Sequence, residues 1–201
     1  ESLAMLAFEL CGFYSMLPCD SSFASANPLT TVDAIASFMR LNSGYAGCAR
    51  GLKAIAFVAD RSASPAESRL VALLCAKQTL GGYGLPMPEM NRRVDVVGEG
   101  RKCTPHRYFV LDLYWSDARL DVEYDSDAFR ASSAGIASDA GRRNALQAMG
   151  YSAITVTNAQ LSSPDSFDDV ALGIARVLGV RVRHTCASWG RRRFLLRRGL
   201  L

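Results

Sequence analysis

Phe109-Val110-Leu111-Asp112-Leu113-Tyr114-Trp115, the short Ser116-Asp117-Ala118 segment, and Arg119-Leu120-Asp121-Val122-Glu123-Tyr124-Asp125 decide how this chain is read. Both long runs are rich in aromatic and aliphatic residues, and the polar triplet between them is a turn. Residues 107–115 and 119–125 are therefore expected to form a β-hairpin. Residues two apart on a strand share a face, so Asp121, Glu123 and Asp125 lie on one side and Leu120, Val122 and Tyr124 on the other. Asp112 is a lone acid among large apolar residues and must be solvated, paired or bound to a cation. Pairing Trp115 with Leu120 sets Asp112 opposite Glu123. Like charges in that position repel, and a divalent cation between them removes the penalty. Mg²⁺ takes oxygen ligands, keeps several waters, and is held by two carboxylates plus a phosphate. Asp112 and Glu123 are the expected ligands of Mg²⁺ or Mn²⁺. The plain alternative is a surface hairpin with its acids facing water.

Outward from the hairpin, the pattern alternates helix and strand. Ser64-Pro65-Ala66-Glu67 opens a helix, with Ser at the N-cap, Pro in the first turn and Glu at the capping-box position. This helix is expected to run to about Gln78 and to stop at Gly81-Gly82-Tyr83-Gly84. Glu67 shares a face with Leu70, Val71 and Leu74, so it is a cap, a member of the metal site, or both. A strand is expected over residues 90–97 and a polar loop over 98–105. After the hairpin come a helix over 136–149 ended by Gly150, a buried strand Ser152–Thr157, a helix from Ser163-Pro164 to about Leu178, and a strand over 180–184. The order helix, three strands, helix, strand, helix predicts an α/β fold: a mixed β-sheet core flanked by helices.

The first sixty residues read as helices. Leu3, Leu6, Leu10, Phe13 and Leu17 recur at helical spacing. Thr30 is placed to cap a second helix that carries Val32, Asp33, Ile35, Ala36 and Met39, and a third passes through Leu52, Ile55, Ala56 and Ala59. Residues 60–64 form a polar break. The organisation expected is a helical N-terminal segment (1–60), an α/β core (61–185) and a basic C-terminal tail (186–201).

The 201 residues are 49% hydrophobic and 21% charged, enough for one buried core. No apolar run is long enough to span a bilayer. Glu1 and Glu9 stand where a signal peptide would carry bases, which predicts a cytoplasmic protein and no membrane partner. Glu1 at the start predicts a piece of a longer chain, with a further N-terminal segment or a partner protein beside the apolar helices. The six cysteines are scattered and the histidines are only His106 and His184, a poor zinc set. Net charge is +4, unevenly spread. From Val170 onward there are eight Arg and no acid, whereas residues 111–127 hold six acids and one base. Carboxylates for cations beside arginines for phosphates suit phosphodiester chemistry, so Arg191, Arg192 and Arg193 are candidate nucleic-acid contacts. The ordinary alternative is a solvated basic tail.

Glu67 in its S-x-x-E helix, Asp112 in a core strand, Glu123-Tyr124-Asp125, and Asp139, Arg142, Leu146 and Gly150 in the pattern D-x-x-R-x-x-x-L-x-x-x-G follow one another in the order seen in the PD-(D/E)xK nuclease superfamily. The chain resembles, more narrowly, small endonuclease-like domains related to very-short-patch repair endonucleases, which also occur in proteins of abortive-infection antitoxin type. The resemblance covers residues 64–161. It implies a restriction-endonuclease-like core and Mg²⁺- or Mn²⁺-dependent hydrolysis of nucleic acid, DNA foremost, in DNA repair or phage defence. It also implies Asp112, Glu123, Asp125 and Glu67 as catalytic residues and Asp112, Glu123 and Glu67 as metal ligands. Arg142 and Arg143 are implied contacts to phosphate, against ordinary helix surface for Arg143 and an i,i+3 pair with Asp139 for Arg142. Asp125 stands where the family usually carries Lys; Ser126 follows, and Arg130 is the nearest base. The competing readings are a nuclease fold that binds nucleic acid or serves as an antitoxin-type regulator without turnover, and a protein-interaction domain.

Overall fold

The computed structural model describes residues 2–18, 22–125, 133–182 and 188–200, and side chains of the helix that opens at Ser133 from residue 138 onward. Ser126, Arg130 and His184, named above, and two of the six cysteines, Cys19 and Cys186, lie outside the described residues. The chain is mixed α/β and divides into two compact units, Glu1–Pro88 with Arg181–Leu201, and Glu89–Val180.

In the first unit, helix α1 (Ser2–Cys11) stops well short of Leu17. A Cβ on Gly12 would lie 2.6 Å from the Phe8 carbonyl and 2.7 Å from that of Ser62, so the chain turns there through a gap that admits only glycine. Strand β1 (Tyr14–Met16) follows and pairs antiparallel with β2 (Phe23–Ser25), a small hairpin that helical spacing concealed. Tyr14 is buried, with its hydroxyl 2.9 Å from Ser68 Oγ and its ring edge-on to Phe23. Helix α2 (Val32–Leu41) is capped by Thr31, one residue after the expected Thr30, through an Ala34 N–H bond to Thr31 Oγ1. Helix α3 (Cys48–Ile55) ends before Ala56 and Ala59.

The polar break at 60–64 falls inside this unit. Phe13 N–H donates to the Ser62 carbonyl (2.7 Å), Arg61 N–H to that of Cys11 (2.9 Å), and Val32 N–H to Asp60 Oδ1 (2.8 Å). Residues that look like a linker serve here as partners for backbone groups freed where α1 ends and where α2 begins. Helix α4 (Pro65–Cys75) follows the expected cap: Ser64 Oγ accepts from Glu67 N–H at 3.2 Å. It ends three residues before the expected Gln78, and a 3₁₀ turn, Gln78–Leu80, follows. The basic C-terminus is not a tail. It is helix α9 (Trp189–Leu200), with Leu196, Arg197 and Leu200 buried. Trp189 packs edge-on to Tyr83 at 5.7 Å and donates its indole N–H to the Gly82 carbonyl, while Arg192 donates to that of Thr79.

The second unit carries one four-stranded sheet in the order β3 (Glu89–Asp95), β4 (Tyr108–Trp115), β5 (Leu120–Asp125), β6 (Ser152–Thr157). The first three strands form an antiparallel meander, and β6 lies parallel to β5. A parallel neighbour requires a crossover, which α6 (Ser133–Ala148) provides. Val96, Phe109, Leu111 and Tyr114 pack with Ala145 and Leu146 of that helix. The expected loop 98–105 contains a short helix, α5 (Gly100–Cys103). A capping box at Thr157 and Gln160 starts α7 (Asn158–Ser162), and Ser163 caps α8 (Pro164–Val177). The strand expected over 180–184 is not formed at residues 180–182; the rest of it lies outside the described residues.

Candidate functional site

The β4–β5 register is the one that the hairpin reading requires: Trp115 with Leu120, Tyr114 with Asp121, Leu113 with Val122. The ladder stops there. One step on, where Asp112 would face Glu123, Tyr124 N–H donates to Asp112 Oδ2 at 3.0 Å. A side chain thus takes up a β5 backbone donor where strand pairing has ended, and the Val110 carbonyl of β4 is also met by a side chain. Arg142 Nη2, from α6, donates to that carbonyl at 2.8 Å and also to Glu123 Oε1. The same nitrogen stands 3.6 Å from Asp121 Oδ2, and the guanidinium lies over the Phe109 ring at 4.9 Å. The end of the β4–β5 ladder is therefore a cluster of carboxylates around one guanidinium.

Burial makes this cluster electrostatically demanding. Asp121 is 0% exposed, and neither of its carboxylate oxygens has a hydrogen-bond partner. Loss of water pushes the Asp121 carboxyl well above the usual carboxylate range, against the pull of Arg142. Burial likewise lowers the Arg142 pKa, with Asp121 and then Asp112 acting to raise it. Among the described residues, no group of three or more His, Cys, Asp and Glu side chains stands in a metal-holding arrangement.

The other candidates sit as follows. Asp125 is half-buried at the end of β5, opposite Thr157 of β6. Arg143 is exposed on α6, as is Asp139, and Arg142 reaches across to β5. Glu67 belongs to the first unit. It is 7% exposed and accepts from Ala63 N–H (2.9 Å) and the Ser64 hydroxyl (2.8 Å), so its capping role is filled. Of the C-terminal arginines, Arg191 and Arg192 are exposed, Arg192 also donating to Thr79 O, and Arg193 is half-buried over the Trp189 ring. Sequence reasoning missed Asp121 and the Val110 carbonyl as parts of the cluster. Alternation did put Asp121 on the side of Glu123; what it lacked was the helix residue that comes down on that side.

The chain matches no family model, no curated protein and no solved structure. Fold and site alone define the class: a mixed α/β protein whose four-stranded mixed sheet holds a buried carboxylate–guanidinium cluster. Among the described residues, no helix is long and apolar enough to cross a membrane.

Proposed function

We propose that Glu89–Val180 is a restriction-endonuclease-like unit that binds Mg²⁺ or Mn²⁺ at Asp112 and Glu123 and hydrolyses phosphodiester bonds in nucleic acid, DNA foremost. The observation that carries this reading is the gathering of Asp121, Glu123 and Arg142 where β4 parts from β5, with Asp112 tied to the same stretch through Tyr124 N–H. The order of elements supports it: a three-strand meander, a helical crossover, then a fourth strand parallel to the third. The donor set suits a hard divalent ion, because it consists of carboxylate and carbonyl oxygens and includes a buried carboxylate with unpartnered oxygens. Asp112 and Glu123 would hold the ion, with Asp125 as the further carboxylate that the resemblance implies; Glu67 belongs to the first unit and is left to its capping role. A bound divalent ion lowers the pKa of a coordinated water and stabilises charge on the phosphate. The protein's part is to hold the carboxylates converging and to present Arg142 to a phosphate oxygen.

One observation favours a second reading, a nuclease fold that binds nucleic acid without turnover. The Arg142 guanidinium already neutralises Glu123. The experiment that separates the two is cleavage of single- and double-stranded DNA with Mg²⁺ or Mn²⁺ against EDTA, for the natural chain and Asp112→Asn. Metal-dependent cleavage lost in the variant supports the enzyme. Binding with no cleavage under any condition supports the module.

A further inference from the structure

Three oxygens of the second unit converge on a single nitrogen. Arg142 Nη2 donates to the Val110 carbonyl and to Glu123 Oε1 and stands 3.6 Å from Asp121 Oδ2. The fit is poor at both ends. A distance of 3.6 Å is too long for a hydrogen bond, and both Asp121 oxygens lack one although the side chain is fully buried. The guanidinium's own Nε is also buried without an acceptor. A planar fork meets carboxylates best through two parallel bonds, yet here one corner of the fork reaches into the cage. Two carboxylates and a backbone carbonyl around a point are instead the donor set of a small hard cation.

We infer that the place held by Arg142 Nη2 is a divalent-cation site with Val110 O, Asp121 and Glu123 as its protein ligands, and that Arg142 is the plug that leaves as the cation enters. The inference rests on the cation-binding reading above; around Glu123 it puts Val110 O and Asp121 where that reading has Asp112, and it makes Arg142 a competitor. The exchange is electrostatically sensible. A divalent ion brings two positive charges to two carboxylates where the guanidinium brings one, and it reaches the Asp121 oxygens that the guanidinium leaves unbonded. The Arg142 side chain is already 23% exposed, so it has a way out towards water. Once released it stays anchored on α6 beside the site, available to a phosphate.

The test is Mn²⁺ binding by calorimetry on the full chain, comparing the natural protein, Arg142→Gln, Arg142→Gln combined with Asp121→Asn, and Asp112→Asn, each checked for native circular dichroism. Arg142→Gln is expected to bind Mn²⁺ at least tenfold more tightly, because no plug must be displaced, and adding Asp121→Asn is expected to remove that gain. A measurement on the natural protein covers the case of a variant that fails to fold. On titration with Mg²⁺, the Arg142 side-chain N–H signal in nitrogen-15 NMR should shift and exchange faster with water. Arg142→Gln binding no more tightly than the natural chain, Asp121→Asn leaving the gain intact, or an unmoved Arg142 signal at saturating Mg²⁺ would overturn the plug. Mn²⁺ binding that Asp112→Asn abolishes and Arg142→Gln leaves unchanged would sink the plug alone. No binding by any of the proteins would sink the cation site with it.

Discussion

Replacing Arg142 with Met in metal-free buffer should destabilise the protein sharply, and the deficit should depend on Asp121. The substitution keeps most of the apolar stem but removes the counter-charge of a carboxylate that is 0% exposed, a hydrogen bond to the Val110 carbonyl, and the pair with Glu123. Breaking a buried pair from one side typically costs about 3–5 kcal/mol, because the remaining charge is left uncompensated. Glu123 is partly exposed, at 29% of its side chain, so water screens its share and the expected loss lies near ~3 kcal/mol. Asp121→Asn in the natural background should cost less, since Arg142 keeps Glu123 and Val110 O. In the Arg142→Met background the same change removes a buried carboxyl that must either stay charged without a partner or take up a proton, and should restore about 2 kcal/mol. The coupling in the double-mutant cycle is then about 2–3 kcal/mol, within the range for contacting residues. Urea denaturation in EDTA reads it directly. With slopes of ~1–3 kcal/mol per molar urea, a 3 kcal/mol loss moves the midpoint by about 1 M or more. An Arg142→Met loss below ~1 kcal/mol, or an Asp121→Asn effect equal in both backgrounds, would refute the electrostatic account of this cluster.

Three further outcomes are expected. Glu67→Ala should lower stability in urea by about 1–3 kcal/mol, because it deprives Ala63 N–H and the Ser64 hydroxyl of their acceptor at a buried helix start; no measurable loss would contradict the capping role. The buried Cys11 thiol is pushed up from 9.0 to about 12, first by burial and then by Asp60, so it holds its proton in the folded state while an unfolded thiol ionises. Its contribution is whole below pH 9 and lost as pH rises towards 12, at up to ~1.4 kcal/mol per pH unit. Stability should therefore fall more steeply from pH 8.5 to 10.5 in the natural chain than in Cys11→Ala, and equal slopes would disprove it. Finally, Arg191→Glu with Arg198→Glu changes two exposed positions of α9 and should leave the fold intact. If that helix contacts phosphates, binding to oligonucleotides weakens for every sequence alike and the salt dependence becomes shallower; an unchanged affinity and slope would remove α9 from the interface.

Local chemistry was the most legible part of the fold. Ser64, Pro65 and Glu67 marked the start of α4, and the residues 152–157 matched β6 in full, because caps and short β-rich runs are decided by neighbours in sequence. The hairpin register was readable for the same reason: a short turn leaves few ways to pair the two strands. The N-terminal region was harder. Leu3 to Leu17 keeps helical spacing, yet the helix ends at Cys11, since the backbone of Ser62 passes against Gly12 and Tyr14 is drawn towards Ser68. Both contacts join segments some fifty residues apart, beyond the reach of any local pattern.

The candidate site divides along the same line. Sequence by itself determined that Asp121 and Glu123 share a side of β5 and that Asp112 must face β5 near Glu123, because strand geometry repeats every two residues. It also marked Arg142 as a residue of interest on a helix. Only the tertiary structure decided what meets the acids. The crossover brings α6 onto the sheet, so the side that the plain alternative turned to water is covered at Asp121, and the charge there is answered by a guanidinium 21 positions away. The C-terminal arginines show the converse. Their charge was plain in the sequence, but Arg197 is buried and Arg192 is spent on the Thr79 carbonyl, because the helix that carries them packs through Trp189, Leu196 and Leu200. Alternation and charge say which side chains travel together; burial depends on which distant segment arrives to cover them.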